Sequence, residues 1–583
     1  MNGLLRKLDQ GRINKSISLL LGVGLGWIVL ASGNFASAAE PFPVTIRVEA
    51  DKSLGELRQI WRFFGADEPN YATMKDGQKL LADFGSLRPG EVYFRAHNLL
   101  TSGDGTPALK WGSTDVYSED EHGNPVYDWK ILDLMFDSYL ERGVRPYAQI
   151  GFMPQALSTH PEPYRHEWRP GLPYNRIFTG WSYPPKDYDK WSELVCQWVR
   201  HCVERYGEAE VKTWYWETWN EANSGNADRP GYFTGTDEEF NKLHDYAIAG
   251  VKRALPDARV GGPDSAGSGG DWTRAFLEHC LRGTNYATGE MGTPLDFVSF
   301  HAKGSPEYID DHIRMGIARQ LRTVDDGFGI VASYPELRNT PIVIGESDPE
   351  GCAACQGSRF SYRNGTMYSS YTAASFARKQ DLADRHGVNF EGALTWAFTF
   401  ENQPYFAGFR QLASCGIPLP VFNVFRMFSK MSGDRIRATS SNAISLDNIM
   451  RNGVREAPDV AAFASYDQKR EQMAVMVWHY HDDDLPGPDA LVELDMAGFP
   501  AGVNQAKLSH YRIDEDHSNA YALWLAMGSP VAPNSDEYDA LLQSSELTPL
   551  EASPKSVALQ NHTAKLSFSL PRQGVSLILL DWQ

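Results

Sequence analysis

The sequence predicts a (β/α)8 TIM barrel followed by a C-terminal β-sandwich. Three observations point there. The chain has 583 residues, too many for one small domain and enough for a barrel with a smaller partner. From about residue 60 to 430, short apolar runs alternate with longer helical patterns, the mark of an α/β fold. After about residue 435, short alternating segments divided by turn clusters take over, as in a sandwich.

The elements follow in order. Arg6, Lys7, Arg12 and Lys15 precede the apolar run Ile17–Ala31, and Ala36-Ser37-Ala38 fits the A-x-A cleavage pattern. Residues 1–38 therefore read as a secretory signal peptide. The run is about 15 residues, short of the roughly 20 that span a bilayer, so an uncleaved anchor is the lesser reading. The mature chain is expected to be exported, periplasmic or extracellular, with no membrane span after cleavage. Residues 39–57 hold the alternating segment Pro43–Ala50, expected to add a strand to the sandwich. Residues 58–433 hold eight candidate strands: Trp61–Gly65, Glu91–His97, Arg145–Gly151, Thr213–Asn220, Arg259–Gly262, Phe297–His301, Pro341–Gly345 and Gly392–Phe398. Helical patterns lie between them at Trp129–Arg142, Asp189–Tyr206, Glu238–Ala254 and Trp272–Arg282. Asp128 and Asp271 suit helix starts, and Gly143 and Gly283 suit helix ends. No G-x-G-x-x-G follows a strand, so a doubly wound nucleotide-binding sheet has no support. Residues 434–583 supply the sandwich strands Ala474–Tyr480, Leu491–Leu494, Lys507–Ile513, Lys565–Leu570 and Ser576–Leu580.

Composition narrows the function. Lys plus Arg is 55 against 74 Asp plus Glu, a net charge of −19, which argues against nucleic acid as a partner. Aromatic residues make up 12% of the chain; such rings suit both the stacking of sugar C–H faces and a large core. Cys352-Ala-Ala-Cys355 lacks a second C-x-x-C or a His pair at zinc spacing. A local disulfide or two free thiols is expected there, not a metal site.

In a barrel of this kind, function sits at the C-terminal ends of the strands. The fourth run ends Trp219-Asn220-Glu221-Ala222-Asn223, and the seventh ends Gly345-Glu346-Ser347-Asp348. Two carboxylates at a barrel mouth are the minimum equipment for glycoside hydrolysis. One protonates the leaving oxygen; the other attacks the anomeric carbon or activates water. Asn220 suits a sugar hydroxyl, and flanking aromatics help the acid keep its proton.

These motifs resemble glycoside hydrolase family 39, the family of β-xylosidases and α-L-iduronidases. Trp219-Asn220-Glu221 is similar to its acid/base motif, with Ala222 where Pro is usual. Pro341–Glu346 is similar to its nucleophile strand, with Gly345 where Thr or Ser is common. Gly261-Gly262-Pro263 and Asp296–His301 resemble strands five and six. Tyr511–Asp514, His517–Tyr521 and Met527–Pro530 resemble its sandwich signature, and Ser347–Cys355 looks like the bacterial xylosidase branch. The resemblance implies Glu221 as acid/base and Glu346 as nucleophile. It also implies Asn220 at the 2-hydroxyl, with His97, His301, Trp396 and Glu401 as sugar contacts. Phe152, with Met153, would form an apolar wall. Neither cofactor nor metal is implied.

Each residue has a plainer reading. His97 and His301 also read as core histidines, Trp396 as core, and Glu401 as a solvated loop residue. Asp348 and Glu350 rival Glu346 by type but lie beyond the strand end. Glu217 stands an even step from Glu221, so an unbroken strand points both inward; Arg95 is its nearest candidate partner. His479–Asp484 reads as a solvated turn. The expected function is a retaining exo-glycosidase, foremost a β-xylosidase acting on short xylo-oligosaccharides. The alternatives are an α-L-arabinosidase, β-galactosidase or β-glucosidase of the same mechanism, or a carbohydrate-binding protein with a decayed site. The oligomeric state stays open.

Overall fold

Eight parallel strands close into a barrel: Phe63–Ala66, Val92–Ala96, Val144–Ile150, Tyr215–Thr218, Arg259–Ser265, Phe297–His301, Ile342–Glu346 and Phe390–Thr395. They are called strands one to eight below. The molecule is a computed structural model that describes residues 40–582; the signal peptide expected at 1–38 lies outside them. Each of the eight expected runs contributes its strand, with ends displaced by a few residues. The largest trimming is at strand four. Its expected start, Thr213-Trp214, is spent closing the preceding turn, where both amides bond back to Glu210 and Val211. Its expected end leaves the sheet because Trp219 has φ 66° and Glu221 φ 44°, left-handed values that a strand does not contain.

The barrel interior is filled by side chains, chiefly rings. Phe63 stacks on Tyr93 at 5.3 Å and Tyr147 on Tyr215 at 4.9 Å, while Phe297 meets Tyr215 edge-on at 5.2 Å. Val343, Leu394 and Trp396 complete this layer. Strand five contributes Gly261 there. A Cβ on it would stand 2.6 Å from the Phe297 ring, so the glycine makes room for the aromatic filling.

The strand before the barrel is longer than expected. Phe42–Glu56 pairs antiparallel with Asp434–Ser440 and parallel with Ala490–Ala497. It thereby joins a nine-stranded sheet. From Phe42–Glu56 one arm passes through Asp434–Ser440, Asp459–Asp467, Gln472–Tyr480, Val575–Asp581 and Gln505–Ile513 to Lys555–Ala558. The other arm passes through Ala490–Ala497 to Thr563–Leu570. The sheet curls over its apolar face. His510 and Phe568, on strands far apart in that order, touch at 4.9 Å between ring centroids, and Val44, Ile46, Val492, Ile578 and Leu580 are buried in the core so formed. All five strands expected after residue 434 are present; Asp434–Ser440, Asp459–Asp467 and Lys555–Ala558 are additional.

His479–Asp484 is not the solvated turn expected. His479, His481, Asp482 and Asp483 are buried, and the segment fastens the sheet to the barrel loops. Asp483 accepts from Arg314 Nε at 2.5 Å, and Met315 N donates to Asp482 O at 2.7 Å. Cys352 and Cys355 form a disulfide. No helix among the described residues is long and apolar enough to cross a membrane.

Candidate active site

Polar side chains converge where the barrel strands end. Just above the aromatic layer, Arg95 of strand two is fully buried and pairs with Glu217 of strand four at 2.6 Å. It also pairs with Asp264 at the end of strand five and reaches Asn220 Oδ1 at 3.2 Å. This answers the question raised by Glu217: an inward carboxylate needs a partner, and Arg95 is that partner. The bend at Trp219 then turns Glu221 away from the strand's alternation. Both left-handed residues are non-glycine, a local strain that is held where function needs a particular aim.

One carboxylate oxygen each of Glu221 and Glu346, and a ring nitrogen of His301, lie within 4.8 Å of one another. Glu346 ends strand seven and is 5% exposed. Its Oε2 receives Lys303 Nζ at 2.5 Å, and its Oε1 stands 3.5 Å from His97 Nε2 and 3.9 Å from Arg95 Nη1. Burial pushes this carboxyl up, but the Lys303 ammonium, with His301 and His97 beside it, holds it well below the usual carboxylate range. Glu346 is therefore ionised at neutral pH, the state a carboxylate nucleophile needs. Glu221 is the more open of the two, its side chain 20% exposed, and accepts from His301 Nδ1 at 2.8 Å. The other ring nitrogen of His301 meets Asp264 Oδ2 at 2.9 Å. Burial pulls the His301 imidazole down; Asp264 and Glu346 outweigh it and raise it to about 10. His301 is thus a cation that donates to both neighbours. Glu221, His301 and Glu346 are metal-ligand types, and Lys303 Nζ already places a cation on Glu346 Oε2.

The remaining expected residues divide. His97 packs on Trp396 at 4.3 Å and Phe152 at 5.3 Å between centroids. Phe152 in turn meets Trp181 at 4.4 Å and Trp219 at 5.2 Å, so these rings form one wall beside Glu346. Asn220 Nδ2 is buried without a hydrogen-bond partner, as a group awaiting a substrate hydroxyl would be, and His97 Nε2 faces the carboxylate oxygens of Asp67 at 3.3 Å and Glu346 at 3.5 Å. Glu401, implied by resemblance as a sugar contact, also serves a neighbouring helix. Its Oε1 accepts the amides of Asp76 at 2.6 Å and Gly77 at 3.1 Å, at the start of the helix Lys75–Leu87. A carboxylate is favoured there because those amides lack helical partners. Asp348 and Glu350 are likewise occupied. Asp348 is tied to Lys303 at 2.7 Å and to Trp396 N at 2.9 Å. Glu350 is tied to Arg363 at 2.8 Å and Arg410 at 2.6 Å.

Sequence reasoning missed Lys303, Asp264, Asp67 and Lys110. The first two carry a signal: each is a charged residue within two positions of a strand end, in Pro263-Asp264-Ser265 and His301-Ala302-Lys303. Gly345, a departure from the family pattern, also finds its reason here. A Cβ on it would collide with Oδ1 of Asp264.

A family model, "Glycosyl hydrolases family 39", matches residues 44–562. A β-xylosidase of Caldicellulosiruptor saccharolyticus is 24% identical over 522 residues, covering 86% of this chain and 91% of that protein. An α-L-iduronidase of Mus musculus is 26% identical over 534 residues, covering 85% and 75%. The crystal structure of a monomeric β-xylosidase from Caulobacter crescentus superimposes with TM-score 0.71 at 20% identity, covering 92% of this chain and 99% of that one; at that identity the likeness is one of fold.

Proposed function

Because the chain belongs to glycosyl hydrolases family 39, we propose that it is an exported, retaining exo-glycosidase, foremost a β-xylosidase that releases xylose from xylo-oligosaccharides. The observation that carries the mechanism is the close approach of Glu221 and Glu346, with one oxygen of each within 4.8 Å. A retaining pair stands about 5–5.5 Å apart, an inverting pair about 6.5–9.5 Å. Glu346 attacks the anomeric carbon. The His301–Glu221 pair holds the proton that the leaving oxygen takes up. Glu221 then draws a proton from the water that opens the glycosyl-enzyme, which returns the original configuration. Asn220 Nδ2 supplies a donor to the sugar, His97 Nε2 lies beside it as a further polar contact, and the Phe152–Trp396 wall covers its apolar edge.

The xylosidase reading is supported by relatives that bear that name and by this close aromatic wall. A second reading has its own support. Lys303 places a cation on the nucleophile, and α-L-iduronides share the anomeric geometry of β-D-xylosides while adding a carboxylate at carbon 5. A panel of aryl glycosides separates the two: β-D-xyloside, β-D-glucoside, β-D-galactoside, α-L-arabinoside and α-L-iduronide. The xyloside is expected to exceed each of the others by about 10-fold or more in kcat/KM, since excluding one substituent is worth about 1–3 kcal/mol. A faster iduronide replaces the xylosidase reading with the second.

A further inference from the structure

The pocket holds a second charged pair, beyond the carboxylates, that the mechanism leaves unused. Asp67 directly follows strand one, and Lys110 lies 43 residues on, in the loop after strand two. Lys110 Nζ donates to Asp67 Oδ2. Both residues are nearly enclosed, at 5% and 7% exposure. Asp67 Oδ1 stands 3.3 Å from His97 Nε2, and the same nitrogen is 3.5 Å from Glu346 Oε1. The pair therefore sits one imidazole away from the nucleophile.

We propose that Asp67 and Lys110 are specificity-determining residues that read the sugar hydroxyls remote from the reacting carbon, those at carbons 3 and 4. This deepens the glycosidase reading and rests on it. Taking two charges out of water costs several kcal/mol per ion, so a pair in this position calls for more than a structural reason. The pair has binding capacity to spare. An ammonium carries three donors and a carboxylate about four acceptor sites, and their mutual bond uses one of each. Lys110 is also held still. Its amide donates to Glu68 Oε1 at 2.6 Å, its carbonyl meets His166 Nε2 at 3.0 Å, and its ammonium lies 5.4 Å over the Tyr174 ring. Burial and the adjacent Asp67 push the Glu68 carboxyl up, to about 8. Glu401, which the family resemblance implied as a sugar contact, spends its Oε1 on the amides of Asp76 and Gly77.

The test compares a parent aryl glycoside, whichever of the panel above wild-type enzyme turns over fastest, with its 3-deoxy and 4-deoxy analogues. Wild-type kcat/KM is expected to fall by about 100-fold or more on at least one analogue, because a buried charged group is left without its hydroxyl. In Asp67→Asn and Lys110→Gln, the parent is expected to lose most of that advantage, so that parent and deoxy rates converge to within a few-fold. The ratio of two substrates on one preparation is independent of how much of the variant has folded. Wild-type enzyme that accepts both deoxy sugars within a few-fold of the parent overturns the proposal, as do variants that keep the wild-type ratio. Absence of turnover on every glycoside overturns the reading beneath it.

Discussion

Lys303 is the strongest influence holding Glu346, the nucleophile of the proposed mechanism, in its ionised form. Its ammonium bridges Glu346 at 2.5 Å and Asp348 at 2.7 Å, and burial raises the strength of such a contact. The sign of its effect follows directly. The cation favours ionised Glu346, so removing it raises that carboxyl's pKa. Lys303→Met should therefore move the acidic limb of the kcat/KM profile to higher pH, by on the order of one unit. A limb that stays in place would mean that His301 and His97 alone fix the charge of Glu346. At this scale the sequence was most legible where a residue type ended a strand. Glu221 and Glu346 stood out in the sequence because each follows an apolar run with a carboxylate, and the fold sets an oxygen of each within 4.8 Å of the other. Asp67 and Lys110 did not stand out, because a pair 43 residues apart in two loops has no periodic signature. Glu401 was placed by resemblance, and its carboxylate also serves the start of a neighbouring helix.

Elements were legible in proportion to how unevenly they are buried. The strand Ala490–Ala497 alternates buried and open residues, and its period of two shows in the sequence. The helix Thr366–His386 has buried side chains on every face and so lacks the polar stripe by which helices are recognised. It went unlisted. It lies between barrel and sheet: Ser370 donates to Gln573 at 2.6 Å, and Phe376 packs on Phe425 and Phe428. This position traps Lys379, which is fully buried, meets Ser375 Oγ at 3.4 Å and lies 4.3 Å over the Phe376 ring. Burial pulls its ammonium down to about 7. A lysine held neutral in the fold but charged when unfolded costs stability between those two pKa values. The cost is small near pH 10.5, grows as pH falls and levels off below about 7. Lys379→Met should stabilise the protein by on the order of 2 kcal/mol at pH 7, with the gain shrinking towards pH 10. Denaturant melts at both pH values measure it; a gain independent of pH would place the effect in packing alone.

Over the whole molecule, the chain reads as strand, barrel, sheet, and the first strand closes the circle by entering the last sheet. The eight-fold alternation and the later change of period were legible because the two regions obey different periodicities. The latch between them was not, because Asp482 and Asp483 look like solvent-facing charge until Arg314 is brought opposite. The barrel's contribution to chemistry is to bring the ends of strands four and seven together across 125 residues of sequence, from Glu221 to Glu346. The account stands on the division of labour between those two. Glu221→Ala with 2,4-dinitrophenyl β-D-xyloside isolates it, because that leaving group needs no proton while the attacking water still needs a base. The decisive measurement is turnover with and without azide, with the product's anomeric configuration read by NMR. Azide should restore turnover and yield β-xylosyl azide, and Glu346→Ala should stay inert. Loss of activity that azide leaves untouched, an α-configured azide, or the same rescue appearing in Glu346→Ala would contradict the account.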